Sequence, residues 1–124
     1  MLWKSLKRFI KSFGYSAEGM KYAFYHEQNI CVMFIIGIIA IALGLVFKIT
    51  YTERLVVLLL TGMVLSLEML NTAIEAVVNL HDGDKKSEYG KIAKDCASGA
   101  VSIASIFALI IGLLIYLPHI LKLF

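Results

Sequence analysis

The chain has 124 residues, of which 60% are hydrophobic and 17% charged, with a mean hydropathy of +0.82, whereas a typical soluble domain is about 45–50% apolar. A soluble globular domain is excluded, and a net charge of +3 is too small for a nucleic-acid-binding surface. Two cysteines without a CxxC pair, Cys31 and Cys96, give no disulfide framework, and His26, His81 and His119 share no face that would make a zinc site.

In chain order, residues 1–29 come first. Trp3, Leu6, Ile10, Phe13, Ala17, Met20 and Phe24 recur at steps of three and four, with Lys4, Arg8, Lys11 and Glu18 between them. This spacing predicts an amphipathic helix lying in the membrane interface, its basic face toward anionic headgroups. Residues 30–47 follow as an uncharged apolar run that reads as a retained transmembrane helix and not as a cleaved leader. A second span is predicted over 55–80 and a third over 97–117, ending near Pro118, with a loop over 81–96 between them. No repeat or second domain is visible, so 1–124 reads as a single all-α membrane domain.

Nine of the twelve Lys and Arg fall in the N-terminal segment and the 81–96 loop. Only Lys48, Arg54 and Lys122 lie on the other side. The positive-inside bias then predicts a cytoplasmic N-terminus and a cytoplasmic 81–96 loop.

Within the second span, Glu68, Asn71, Thr72, Glu75 and Asn79 fall inside an arc of about 100° on a helical wheel. A carboxylate at the bilayer centre costs at least about 2.5 kcal/mol, so a stripe of this kind is a functional candidate by default. At 1.5 Å per residue Glu68 sits about 10 Å inside the cytoplasmic boundary and Glu75 close to it. Such a pair suits phosphoryl transfer, which needs a hard cation held by carboxylates and phosphates, a cationic partner for the phosphates, and a base at the acceptor hydroxyl. Glu27 and Glu75 are candidates to hold Mg²⁺, Lys94 to meet phosphate, and Glu68 to accept the proton. Neither a Walker A sequence nor a kinase HRD motif is present. In the third span Asp95, Ser98, Ser102 and Ser105 step along one face among small residues, a pattern read mainly as close helix packing. Intramembrane Glu and Asn also occur in ion paths and in assembly proteins. However, residues 55–67 carry only Thr61 and Ser66 as polar side chains, which leaves no continuous polar path along this helix.

The run from Glu68 to Asn79, EMLNTAIEAVVN, resembles the ExxNxAIExxVD signature of the prokaryotic diacylglycerol kinase family, which includes undecaprenol kinases. Gly14-Tyr15-Ser16-Ala17-Glu18-Gly19, His26-Glu27-Gln28-Asn29 and Ala93-Lys94-Asp95 stand in the family's order around it. The resemblance implies a multi-pass homotrimer of the bacterial cell membrane, with sites shared between subunits. It further implies ATP as phosphoryl donor, Mg²⁺ as cofactor, and a membrane lipid as acceptor. Carried over, Glu68 matches the general base and Glu27 and Glu75 the metal-bound carboxylates. Asn71, Asn79, Lys94 and Asp95 match nucleotide and phosphate contacts, with Glu88 and Tyr89 in the nucleotide loop. Arg8, Ser16, Gly19 and Ser98 match the lipid side. Asn79 departs from the family's Asp. The segments at Glu27–Asn29, Gly44–Lys48 and Phe107–Pro118 are similar to the Gram-positive branch associated with undecaprenol, with diacylglycerol the alternative acceptor.

Overall fold

The computed structural model describes all 124 residues and contains four helices: α1 Leu2–His26, α2 Gln28–Val46, α3 Tyr51–Asp82 and α4 Glu88–Leu121. The all-α expectation holds, and α2, α3 and α4 are each long and apolar enough to cross a membrane. Only 13 of the 124 residues are buried within the chain, and large apolar side chains cover the outside of the three long helices. An exterior of this composition is stable against hydrocarbon or protein and not against water.

Each junction has a local cause. Glu27 is the single extended residue between α1 and α2, at φ −115° and ψ 110°. The break is held by the Cys31 thiol donating to the Phe24 carbonyl at 3.2 Å and by an edge-on contact between Phe24 and Phe34. The α2–α3 turn passes through Lys48 at φ 53°, a left-handed conformation costly for a side-chain-bearing residue, and buries Ile49 beneath it. Thr50 and Glu53 then close a capping box on α3, each side chain bonding the other's backbone N–H at 3.2 and 3.0 Å.

The α3–α4 connection is only five residues long, 83–87. The loop expected over 81–96 is corrected accordingly, because residues 88–96 form the first turns of α4. Ser87 is the reason: its hydroxyl accepts from the Gly90 N–H at 3.0 Å and donates to the Asp82 carboxylate at 2.8 Å, capping α4 and clasping it to α3. Gly90 fits at this point because a Cβ would run into Asp82, Ser87 and Val78. At the other end α4 continues past the boundary expected at Pro118 to Leu121. Pro118 lacks the N–H that would bond the Leu114 carbonyl and its ring crowds that carbonyl, and α4 ends within one turn of it.

α3 is the central element, packing most extensively on α4 and then on α2. Gly37 of α2 meets Thr61 so closely that a Cβ would collide with the threonine methyl. α4 is pinned to the start of α3 by His119 and Glu53 at 3.1 Å, and to α2 by the Tyr116 hydroxyl donating to the Ala40 carbonyl. α1 meets α2 and α3 sparsely, and Ala23 is its one buried residue.

Candidate active site

The polar stripe of α3 turns inward. Glu68 is 3% exposed, and Asn71 and Thr72 are also buried, so three polar residues occupy part of a core that elsewhere is aliphatic. The Thr72 hydroxyl donates to the Glu68 carbonyl at 3.0 Å, which leaves the Glu68 carboxylate free of that partner. One turn on, the Asn71 amide nitrogen donates to a Glu75 carboxylate oxygen at 3.3 Å. Asn71 Oδ1 is buried without a partner and can accept a bond from a bound molecule.

Glu27 stands at the α1–α2 break, and α1 makes sparse contact with α3. Glu68 and Glu75 share one face of α3, two turns or about 10 Å apart along its axis. Glu27 and Glu75 are each partly exposed, whereas Glu68 is enclosed. No set of three His, Cys, Asp or Glu side chains forms a closed metal cage. Two carboxylates with open positions beside them suit an ion that keeps water and phosphate ligands, as Mg²⁺ does.

A turn further along α3, Asn79 Oδ1 accepts from the Lys94 ammonium of α4 at 2.6 Å. The amide that stands where the family has Asp thus still anchors the lysine. Asp95 is exposed and paired with Lys91 one turn earlier at 2.6 Å. Within the single chain the remaining candidates stay apart from Glu68. Arg8, Ser16 and Gly19 lie on the exposed length of α1, Ser16 bonding back to the Ser12 carbonyl, while Ser98, Glu88 and Tyr89 are exposed on α4. The Asp82–Ser87 clasp and the Lys91–Asp95 pair are contacts beside the candidate residues that the sequence pattern did not single out. Both carried a signal, the first as a serine N-cap and the second as an i,i+4 pair of opposite charges.

Asn79→Asp gives a direct test of the departure. An added carboxylate beside Lys94 makes the hydrogen bond an ion pair and raises local cation affinity. At an exposed position the gain is at most about 1 kcal/mol, or about five-fold. Divalent-cation affinity is expected to rise by up to about that factor, read by calorimetric titration of the purified protein.

The fold and the buried polar face of α3 define a small multi-pass membrane protein with a carboxylate enclosed in its helix bundle. The family model described as prokaryotic diacylglycerol kinase matches residues 14–116. Over 121 residues the chain is 37% identical to a diacylglycerol kinase of Synechocystis, covering 98% of this chain and 69% of that one. It is 38% identical over 113 residues to an undecaprenol kinase of Bacillus subtilis, covering 91% of each. A diacylglycerol kinase of Escherichia coli is 31% identical over 112 residues, covering 90% of this chain and 91% of its own. The chain belongs to the prokaryotic diacylglycerol kinase family, a family of lipid kinases, and is itself a membrane kinase.

Proposed function

We propose that the protein transfers the terminal phosphoryl group of ATP to the hydroxyl of undecaprenol at the cytoplasmic membrane face, with Mg²⁺ as cofactor. The observation that carries this reading is the enclosed Glu68 on the face of α3 that also bears Asn71 and Glu75. A buried carboxylate with neither a lysine nor an arginine partner is costly as structure and useful as a base. In this reading Glu68 accepts the proton of the acceptor hydroxyl as its oxygen attacks the γ-phosphorus, whose bond to the β,γ-bridging oxygen breaks to release ADP. Glu27 and Glu75 hold Mg²⁺, which when bound offsets the charge of the phosphates. Asn71 offers its free Oδ1 to the nucleotide or acceptor, and Lys94, steadied by Asn79, offsets charge on the transferring group.

The site is completed by a homotrimer, in which Arg8, Ser16, Gly19 and Ser98 of one subunit face the cluster of the next, and Asp95, Glu88 and Tyr89 border the nucleotide. α1 lies in the cytoplasmic interface, and nine Lys and Arg on the N-terminal and 81–96 segments keep that side inside. Undecaprenol is favoured by the undecaprenol kinase of Bacillus subtilis, which matches over 91% of both chains. Diacylglycerol is the second reading, supported by the Synechocystis relative at similar identity.

The test is phosphate transfer from labelled ATP in mixed micelles, with the two lipids offered in parallel. Undecaprenol is expected to be used at least about ten-fold more efficiently. The reverse preference establishes the second reading, and no transfer to either lipid from folded protein refutes the kinase mechanism.

A further inference from the structure

Two side-chain polar atoms in the chain are buried with no hydrogen-bond partner, Asn71 Oδ1 and Ser105 Oγ. The first is an acceptor already placed at the site. The second is a donor on a different helix, and packing gives it no purpose. Hydroxyls in apolar helices commonly turn back on the carbonyl four residues earlier. Thr61, Ser66, Thr72 and Ser102 all do so in this chain, at 2.7–3.0 Å. Ser105 departs from that pattern, so its proton is available across the helix interface.

The register of that interface says what lies opposite. α3 and α4 run antiparallel and are pinned together at both ends, by Lys94 to Asn79 and by His119 to Glu53. Ser105 follows Lys94 by eleven residues along α4, and Glu68 precedes Asn79 by eleven along α3. Both helices rise equally per residue, so the two side chains share one level of the bundle. α3 is the helix against which α4 packs. At that level stand a buried hydroxyl without an acceptor and a buried carboxylate whose only local bond is made by its backbone carbonyl.

We infer that Ser105 is a positioning residue whose hydroxyl donates a hydrogen bond to the Glu68 carboxylate and aims its free oxygen at the acceptor hydroxyl. The inference rests on Glu68 acting as the base. In the single chain Ser105 Oγ has no partner, so this bond forms by rotation about the glutamate side-chain bonds and the serine χ1 when the acceptor binds. A neutral donor suits this role, because it fixes the orientation of one carboxylate oxygen and leaves the charge in place, whereas lysine would neutralise it.

The experiment compares Ser105→Ala and Ser105→Thr by steady-state phosphate transfer in lipid–detergent micelles, with thermal unfolding in parallel. Ser105→Ala is expected to lower kcat about ten-fold, with KM for ATP and for lipid held within about two-fold and the unfolding temperature unchanged. Ser105→Thr, which keeps the hydroxyl, restores kcat to within about three-fold. In a Glu68→Asp background the shorter carboxylate no longer reaches, so Ser105→Ala lowers kcat no further. An unchanged kcat in Ser105→Ala overturns the inference. So does an equal fall in both backgrounds, or a loss that tracks unfolding temperature and is not restored by threonine. If Glu68→Asp turns over too slowly to measure, the Ala–Thr comparison decides. Failure of the base reading is seen separately, as activity retained by Glu68→Gln.

Discussion

Glu68→Gln is expected to abolish phosphate transfer while leaving the protein folded. Loss of a general base costs about 10²–10⁴-fold, and an isosteric amide cannot accept the proton of an alcohol. The same substitution removes a charge from a position only 3% exposed. Taking an unpaired buried carboxylate out of a membrane helix relieves a desolvation cost. Thermal unfolding in detergent should therefore occur at an equal or higher temperature than for the parent chain. The two readouts move in opposite directions, which separates catalysis from structure. If Glu68 instead held helices together, activity and unfolding temperature would fall together. A variant retaining more than about a tenth of the parent kcat would remove Glu68 from the chemistry.

The polar stripe Glu68, Asn71, Thr72, Glu75 and Asn79 was legible as one face of α3. Five polar residues at helical period within an apolar run leave little alternative to one shared face. The three long helices were legible for a related reason, since uninterrupted apolar length is what the bilayer demands. Helix ends were less so. Residues 88–96 include Glu88, Lys91, Lys94 and Asp95, and hydropathy alone ends a span before them, although Ser87 supplies a cap that starts α4 there. The capping box at Thr50 and Glu53 was equally readable as T-x-x-E before an apolar run, and it carries α3 back to Tyr51.

Contacts between helices were not legible, because they depend on register. Lys94 meeting Asn79 and His119 meeting Glu53 link residues far apart in sequence, and no periodicity within one helix predicts them. The same register turns Ser105 from one of several small packing residues into the counterpart of Glu68. The exposure of Arg8, Ser16 and Gly19 has another origin: a single chain of three spans encloses one side of α3 and leaves the length of α1 bare.

The second large effect is expected from Glu75→Gln, which isolates charge from shape. In the parent chain the Asn71 amide donates to Glu75 at 3.3 Å, and the carbonyl oxygen of a glutamine at 75 can accept the same bond. Local structure is therefore retained while the negative charge near the partly exposed mouth is lost. If Glu75 and Glu27 together hold Mg²⁺, removing one of two charged ligands should cost at least as much as disturbing an outer-sphere partner, about 10–100-fold in metal affinity. Activity at low Mg²⁺ should collapse by that factor and be partly restored as Mg²⁺ is raised, with Glu27→Gln giving the same signature. Glu68→Gln should show no such rescue, because excess cation does not replace a base. An ion-conducting or scaffolding protein would show no Mg²⁺-dependent transfer in any of these chains. Equal, Mg²⁺-insensitive losses in the Glu27 and Glu75 variants would place the cation elsewhere and leave the two carboxylates with a purely electrostatic role around Glu68.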